Sequence, residues 1–166
     1  MTPDKVAALV EAARVAVSTE LENAGDEVAG WHPEEGEWCA KEALGHLYET
    51  ERRGFAGRIA EILSAPAGEE PMLKATGPLA PGYCDKPLAQ LLDDFNTQRR
   101  SSVEYIRSLR GEDLDRAGIH ERVGRITVID LLHEWVHHDR AHIAQILGNV
   151  QAYVWPAMGN TQKFSA

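Results

Sequence analysis

The chain has 166 residues, of which 43% are hydrophobic, and a formal net charge of −9. That length fits a single domain spanning 1–166 with one core, and the acidic balance excludes broad electrostatic binding to nucleic acid, whose phosphates demand a basic surface. No charged-plus-apolar leader pattern and no run of about 18 apolar residues is present, and the two cysteines, Cys39 and Cys84, supply no disulfide framework. The expectation is therefore a cytoplasmic protein in reducing surroundings with no membrane partner.

The first predicted helix runs from about Pro3 to Glu22, with Thr2 as N-cap, Pro3 at the first helical position, and Val6, Leu9, Val10, Ala13, Val17 and Leu21 inward. The second spans Trp38 to Leu63 and places Leu44, Leu47, Tyr48, Phe55, Ile59 and Ile62 at core spacing. His46 lies off that stripe. It shares a face with Cys39, Ala43, Thr50 and Gly57, small groups suited to lining a cleft or admitting another helix. Cys39 sits about 10 Å from His46 along the axis, too far to share a ligand, and reads as a small core residue. Prolines and glycines between Ser64 and Pro87 forbid a long helix and mark a crossover loop. A third helix follows from about Leu88 to Leu109, with Leu91, Leu92, Phe95, Val103, Ile106 and Leu109 inward.

The fourth helix starts near Thr127, where Thr127 and Asp130 resemble a capping box, and ends at about Val150. It carries four of the chain's seven histidines in HEWVHHDRAH. Two metal-binding patterns overlap there. His133, Glu134 and His137 form HExxH, the metalloprotease signature; His138 and His142 form HxxxH, which also offers two imidazoles from one helical face. Helical phase separates them. Ile129, Leu132, Val136, Ile143, Ile146, Leu147 and Val150 form the apolar stripe, His138 and His142 flank one of its edges beside Leu131 and Trp135, and His133 and His137 point toward solvent. A protease would also need a third ligand downstream, but no glutamate follows Glu134, and Arg140 and Ile143 break the longer HExxHxxGxxH form. A di-iron carboxylate site would require two ExxH motifs, and only Glu134 to His137 has that spacing.

The inner pair needs a third ligand, and His46 is the candidate; read alone, a solvent-facing or hydrogen-bonded histidine competes. Asp139 projects from the middle of the apolar stripe, where an unpaired carboxylate would be costly. A structural bond to an indole, backbone amide or arginine is preferred there over a role beside a ligand imidazole. His120 and His32 read as surface residues, and Trp31, Trp38, Trp135 and Trp155 as core or interface anchors.

Trp38, KEALGHL and the distant run TVIDLLHEWVHHDRAHIAQI resemble the DinB-like superfamily of small bacterial four-helix bundles, also called the YfiT-like metalloenzymes. The resemblance spans about Ala8 to Val150. It implies an all-α four-helix bundle in up-down-down-up order with one long crossover loop, and a divalent metal held by His46, His138 and His142.

Three neutral imidazoles leave coordination positions open, as in a catalytic site, and all-nitrogen ligation suits zinc or nickel better than magnesium or calcium. Together with this metal chemistry, the resemblance implies a metal-dependent enzyme acting on a small molecule, with S-transferase or isomerase chemistry that uses a low-molecular-weight thiol. Hydrolysis by metal-bound hydroxide and a non-catalytic, metal-binding stress-response bundle are the alternatives. No residue reads as a general base, so the catalytic residues are unassigned. The aromatic tail after Val150, with Tyr153, Trp155 and Phe164, and the resemblance point to a homodimer.

Overall fold

A computed structural model describes residues 1–165 of the protein. Its elements are α1 (Pro3–Ala29), α2 (Ala40–Thr50), a π-helical segment (Glu51–Ala56), α3 (Gly57–Ser64), β1 (Met72–Leu73), α4 (Leu88–Ser108), α5 (Gly111–Leu114), β2 (Ala117–His120), β3 (Gly124–Thr127), α6 (Val128–Val154) and a 3-10 segment (Trp155–Phe164). Four rods make the bundle: α1, the continuous α2–π–α3 unit, α4 and α6. Both α1 and α2 pack against α4 and α6. The connectivity is up-down-down-up, with the long crossover between α3 and α4.

Local chemistry explains the helix starts. Thr2 Oγ1 accepts from the Lys5 amide at 3.3 Å and Pro3 occupies the first helical turn, while Thr127 and Asp130 cap α6 reciprocally, with N···O distances of 3.2 and 2.9 Å. The predicted first helix stops at Glu22, but the chain continues helically to Ala29 through a break at Gly25, where φ is +79°. This extension delivers Asp26 to the start of α4, where its carboxylate accepts from the Leu88 amide at 2.8 Å and from Lys41 Nζ at 3.0 Å. The fourth helix likewise outruns its predicted end, because Asn149 is buried and donates to the Trp38 carbonyl at 2.8 Å instead of ending the helix.

The core has two lobes. One gathers Val6, Val10, Phe55, Ile59, Ile106, Leu132 and Trp135; the other gathers Val17, Leu21, Leu44, Leu47, Leu91, Phe95 and Ile146. The buried face of α6 runs through Leu131, Trp135 and Asp139, so it is rotated toward the histidine-bearing edge, and Leu147 is 46% exposed instead of facing inward. Trp155 is also largely outside the core, at 39% exposure.

Where the lobes meet lies a charged cluster. Arg99 is fully buried, donates from Nε to Glu51 Oε2 at 2.6 Å, and grips both carboxylate oxygens of Asp139, the second at 3.2 Å. Its guanidinium also lies over the Phe95 ring at 4.9 Å. Asp139 thus makes the structural bond expected for it, with an arginine. The π-helical segment begins at Glu51. The wider turn of a π-helix changes the phase of the rod, turning Glu51 to the core, where it meets Arg99.

Three features depart from the sequence reading. A small three-stranded sheet joins the α3–α4 and α4–α6 connections, with β1 parallel to β2 and β2 antiparallel to β3. His120, read as a surface residue, is the last residue of β2 and only 7% exposed, because the hairpin folds it back against the bundle. Cys39 and Cys84, read as unpaired, form a disulfide across 45 residues of sequence. The crossover loop brings Cys84 to the N-terminus of α2. Tyr83 packs there against Gly45, where any Cβ would overlap its ring, and its hydroxyl donates to Glu49 Oε1 at 2.8 Å. Lys41 Nζ, also buried, donates to the carbonyls of Cys84 and Lys86 at 3.2 and 3.1 Å. Cys39 is fully buried as well, so the small-core reading describes its packing but omits its bond.

Candidate metal centre

The π segment and the N-terminal anchoring of α2 fix where His46 points, and the i, i+4 spacing on α6 sets His138 and His142 one turn apart. The three rings converge. Their centroids are 5.0 Å apart for His46 and His138, 4.6 Å for His46 and His142, and 4.5 Å for His138 and His142. The Nε2 atoms of His46 and His138 approach to 3.0 Å, and one nitrogen from each of the three residues falls within 4.8 Å of the others.

The surroundings orient the rings. His142 Nδ1 lies 2.8 Å from Gln145 Oε1, an acceptor, so Nδ1 carries the proton and Nε2 keeps a free lone pair. Thr50 Oγ1 lies 3.5 Å from His46 Nδ1. The Trp38 ring packs against His46 with centroids 5.0 Å apart and stacks on His142 at 6.3 Å, and the edge of Phe55 meets His138 at 5.3 Å. These aromatic walls remove water from one side of the cluster.

That burial sets the protonation. Loss of solvent first, and the neighbouring His142 ring second, push His46 down to about 4 and His138 down to about 3. Both are therefore neutral at physiological pH, the form in which imidazole binds a metal. One ring nitrogen from each residue could serve a single cation. The donor set contains no carboxylate. The nearest acid facing His46, Glu49, is engaged by Tyr83 and by Arg53.

The structure brings together His46, His138 and His142 and leaves the overlapping HExxH pair outside. His133 and His137 are exposed, and His133 Nε2 lies 2.9 Å from the N-terminal amine. His120 is remote from the cluster in bonding terms, its Nδ1 accepting from the Arg122 amide at 3.2 Å. Phe55 also lines a cavity of about 460 Å³ with Arg58, His120, Ile126, Leu131 and Glu134. A concavity of about 540 Å³ around Asp26 and Leu88 includes none of the three histidines. Sequence reasoning missed the walls of the cluster: Trp38 and Phe55 carry the periodicity of ordinary core residues, and only their tertiary position distinguishes them.

Comparison with known proteins agrees with this architecture. The family model described as the DinB superfamily matches residues 9–146. The chain belongs to the DinB superfamily. The uncharacterized protein YuaE of Bacillus subtilis (strain 168) is 25% identical over 146 residues, covering 81% of this chain and 90% of YuaE. Among solved structures, YfiT from Bacillus subtilis superimposes with a TM-score of 0.75 at 16% identity, covering 90% of this chain and 86% of YfiT. YfiT is described as a probable metal-dependent hydrolase with an unusual four-helix bundle topology. At that identity the likeness concerns the fold, and the DinB-type bundle is the shared feature.

Proposed function

We propose that this DinB-superfamily chain is a metal-dependent enzyme in which His46, His138 and His142 hold one divalent transition metal, zinc or nickel, that acts on a small molecule. The observation that supports it is the convergence of three half-buried imidazoles, with their donor atoms within 4.8 Å of one another. Three nitrogens on one side leave positions open for an exogenous ligand. When bound, such a metal lowers the pKa of a coordinated water or thiol.

Between those two ligands the donor set favours a thiol. Neutral imidazoles leave the ion its full positive charge, which suits a thiolate, and a free thiol starts from a pKa of about 8.5 against about 15.7 for water, so it is the more readily deprotonated of the two on the ion. A thiol coordinated as thiolate is already in its nucleophilic form. The reading is therefore transfer or isomerisation using a low-molecular-weight thiol; we propose with it a cytoplasmic homodimer, in whose reducing surroundings the Cys39–Cys84 bond would open. Hydrolysis is the second reading, favoured by the description of YfiT. Among the described residues no helix is long and apolar enough to cross a membrane.

The test is cobalt substitution in a Cys39→Ser/Cys84→Ser background, where the protein's own sulfurs cannot contribute. A physiological thiol should then produce a sulfur-to-cobalt charge-transfer band that disappears on His142→Ala. An unchanged spectrum together with turnover of an ester or amide would overturn the thiol reading in favour of hydrolysis.

A further inference from the structure

A second group of metal-competent side chains lies at the other end of α2's first turns. His32 Nε2, Cys39 Sγ, a Glu42 carboxylate oxygen and Cys84 Sγ all fall within 4.8 Å of one another. Three separate stretches supply them: the α1–α2 connection gives His32, the start of α2 gives Cys39 and Glu42, and the crossover loop gives Cys84. We propose that, when the Cys39–Cys84 disulfide is reduced, these four residues form a second, zinc-type metal site distinct from the three histidines.

The distances approach those of a tetrahedral site. Zinc bonds of about 2.3 Å to sulfur and about 2.0–2.1 Å to nitrogen or oxygen place neighbouring ligands about 3.3–3.8 Å apart. His32 Nε2 is already 3.6 Å from Cys84 Sγ and 3.1 Å from Glu42 Oε2. The two sulfurs must part, from bonded contact to about 3.8 Å, and the remaining pairs already lie within 4.8 Å. Cys84 is the one free to move, because it sits in a loop and is partly exposed, whereas Cys39 is fully buried at the helix start.

Electrostatics favour the thiolates. Cys39 precedes the first turn of α2, whose free amides carry partial positive charge, and the Lys41 ammonium lies 3.2 Å from the Cys84 carbonyl. The helix start stabilises deprotonated sulfur at Cys39, and Lys41 holds the Cys84 backbone beside it. The Glu42 carboxylate is held in place by the Cys39 amide at 2.9 Å. Two soft thiolates and a borderline imidazole, joined by one carboxylate oxygen, fit zinc and would reject magnesium or calcium.

The steps balance. Two equivalents of a low-molecular-weight thiol donate two electrons and two protons to the disulfide and become their own disulfide, leaving two free cysteines. Zinc then displaces one proton from each thiol and binds the two sulfurs. Cysteine pairing and metal binding are thereby mutually exclusive states of one site. Trp38, next to Cys39 in the chain, packs its ring on His46 and His142 of the histidine cluster.

The experiment measures zinc and cobalt stoichiometry of the whole chain, oxidised and phosphine-reduced, in wild type and in His138→Ala. Reduction should add about one equivalent of metal in both backgrounds. In the cobalt form it should add a sulfur-to-metal charge-transfer band in the absence of any added thiol. Cys84→Ser, which changes only a loop residue, should remove the added equivalent, and His32→Ala should weaken it at least tenfold. Equal metal content in oxidised and reduced protein, or an added equivalent that survives Cys84→Ser, would overturn the proposal. Because the readout is the difference made by reduction, loss of the three-histidine site would change the baseline and leave this result intact.

Discussion

At the scale of single residues, the three clustered histidines differ from the others by what surrounds them. Trp38, Phe55 and Gln145 fix and dry His46, His138 and His142, while His133 and His137 face solvent. Alanine at position 46, 138 or 142 should therefore abolish most metal binding, whereas His133→Ala and His137→Ala should leave metal content unchanged by elemental analysis. Full occupancy in His138→Ala, or its loss in His133→Ala, would refute the ligand set. A pH dependence follows from the same burial. In the unfolded chain an imidazole takes up its proton at about pH 6.5, but His46 and His138 are held down to about 4 and about 3 in the folded protein. Between those limits the unfolded state binds more protons, so the metal-free protein should lose stability as pH falls from about 6.5 toward 3. Urea titrations of metal-free wild type and His138→Ala should show the difference between them changing over this window. A pH-independent difference would contradict the assigned protonation.

At the scale of elements, the π segment and α4 are coupled through a buried ion network. Glu51, Arg99 and Asp139 are all 2% exposed or less. Burial pushes both carboxyls upward, and Arg99 pulls against that shift. Removing one partner leaves uncompensated charge, so Arg99→Met should destabilise the fold by about 3–5 kcal/mol. Restoring neutrality with Glu51→Gln and Asp139→Asn in the same chain should recover part of that loss, as read by denaturant midpoints. Additive losses would show that the three residues act independently. The α6 cap makes a smaller, local contribution: Thr127→Ala should cost about 1 kcal/mol.

At the scale of the whole molecule, the crossover loop and the tail decide how the bundle is closed. The Cys39–Cys84 bond spans 45 residues, and a cross-link of that reach should stabilise the oxidised chain by about 2–4 kcal/mol over the reduced, metal-free chain. Thermal denaturation in the two redox states measures this, and identical midpoints would show that the bond does not constrain the unfolded chain. The tail leaves Phe164 89% exposed and Val154 46% exposed, while Val15 and Leu147 border an apolar groove between α1 and α6. A homodimer burying such surface should appear in light scattering, and a concentration-independent monomer would remove that proposal.

By itself, the sequence determined the four rods, most of their inward faces, the caps at Thr2 and Thr127, and the separation of His138 and His142 from the overlapping HExxH pair. Those properties depend on helical phase and on hydrogen bonds within a few residues, and both are written in local spacing. His46 was identifiable as a candidate because it left the apolar stripe of its helix, although spacing could not show what it would face. Only the tertiary structure decided that Trp38 and Phe55 wall the cluster, that Arg99 meets Glu51 and Asp139, and that His120 is buried in a hairpin. It alone also brought Cys84 back across the start of α2 to Cys39. Each of these is a meeting of segments far apart in the chain, set by how the crossover loop and the π turn position their elements, and no periodicity within either segment encodes it.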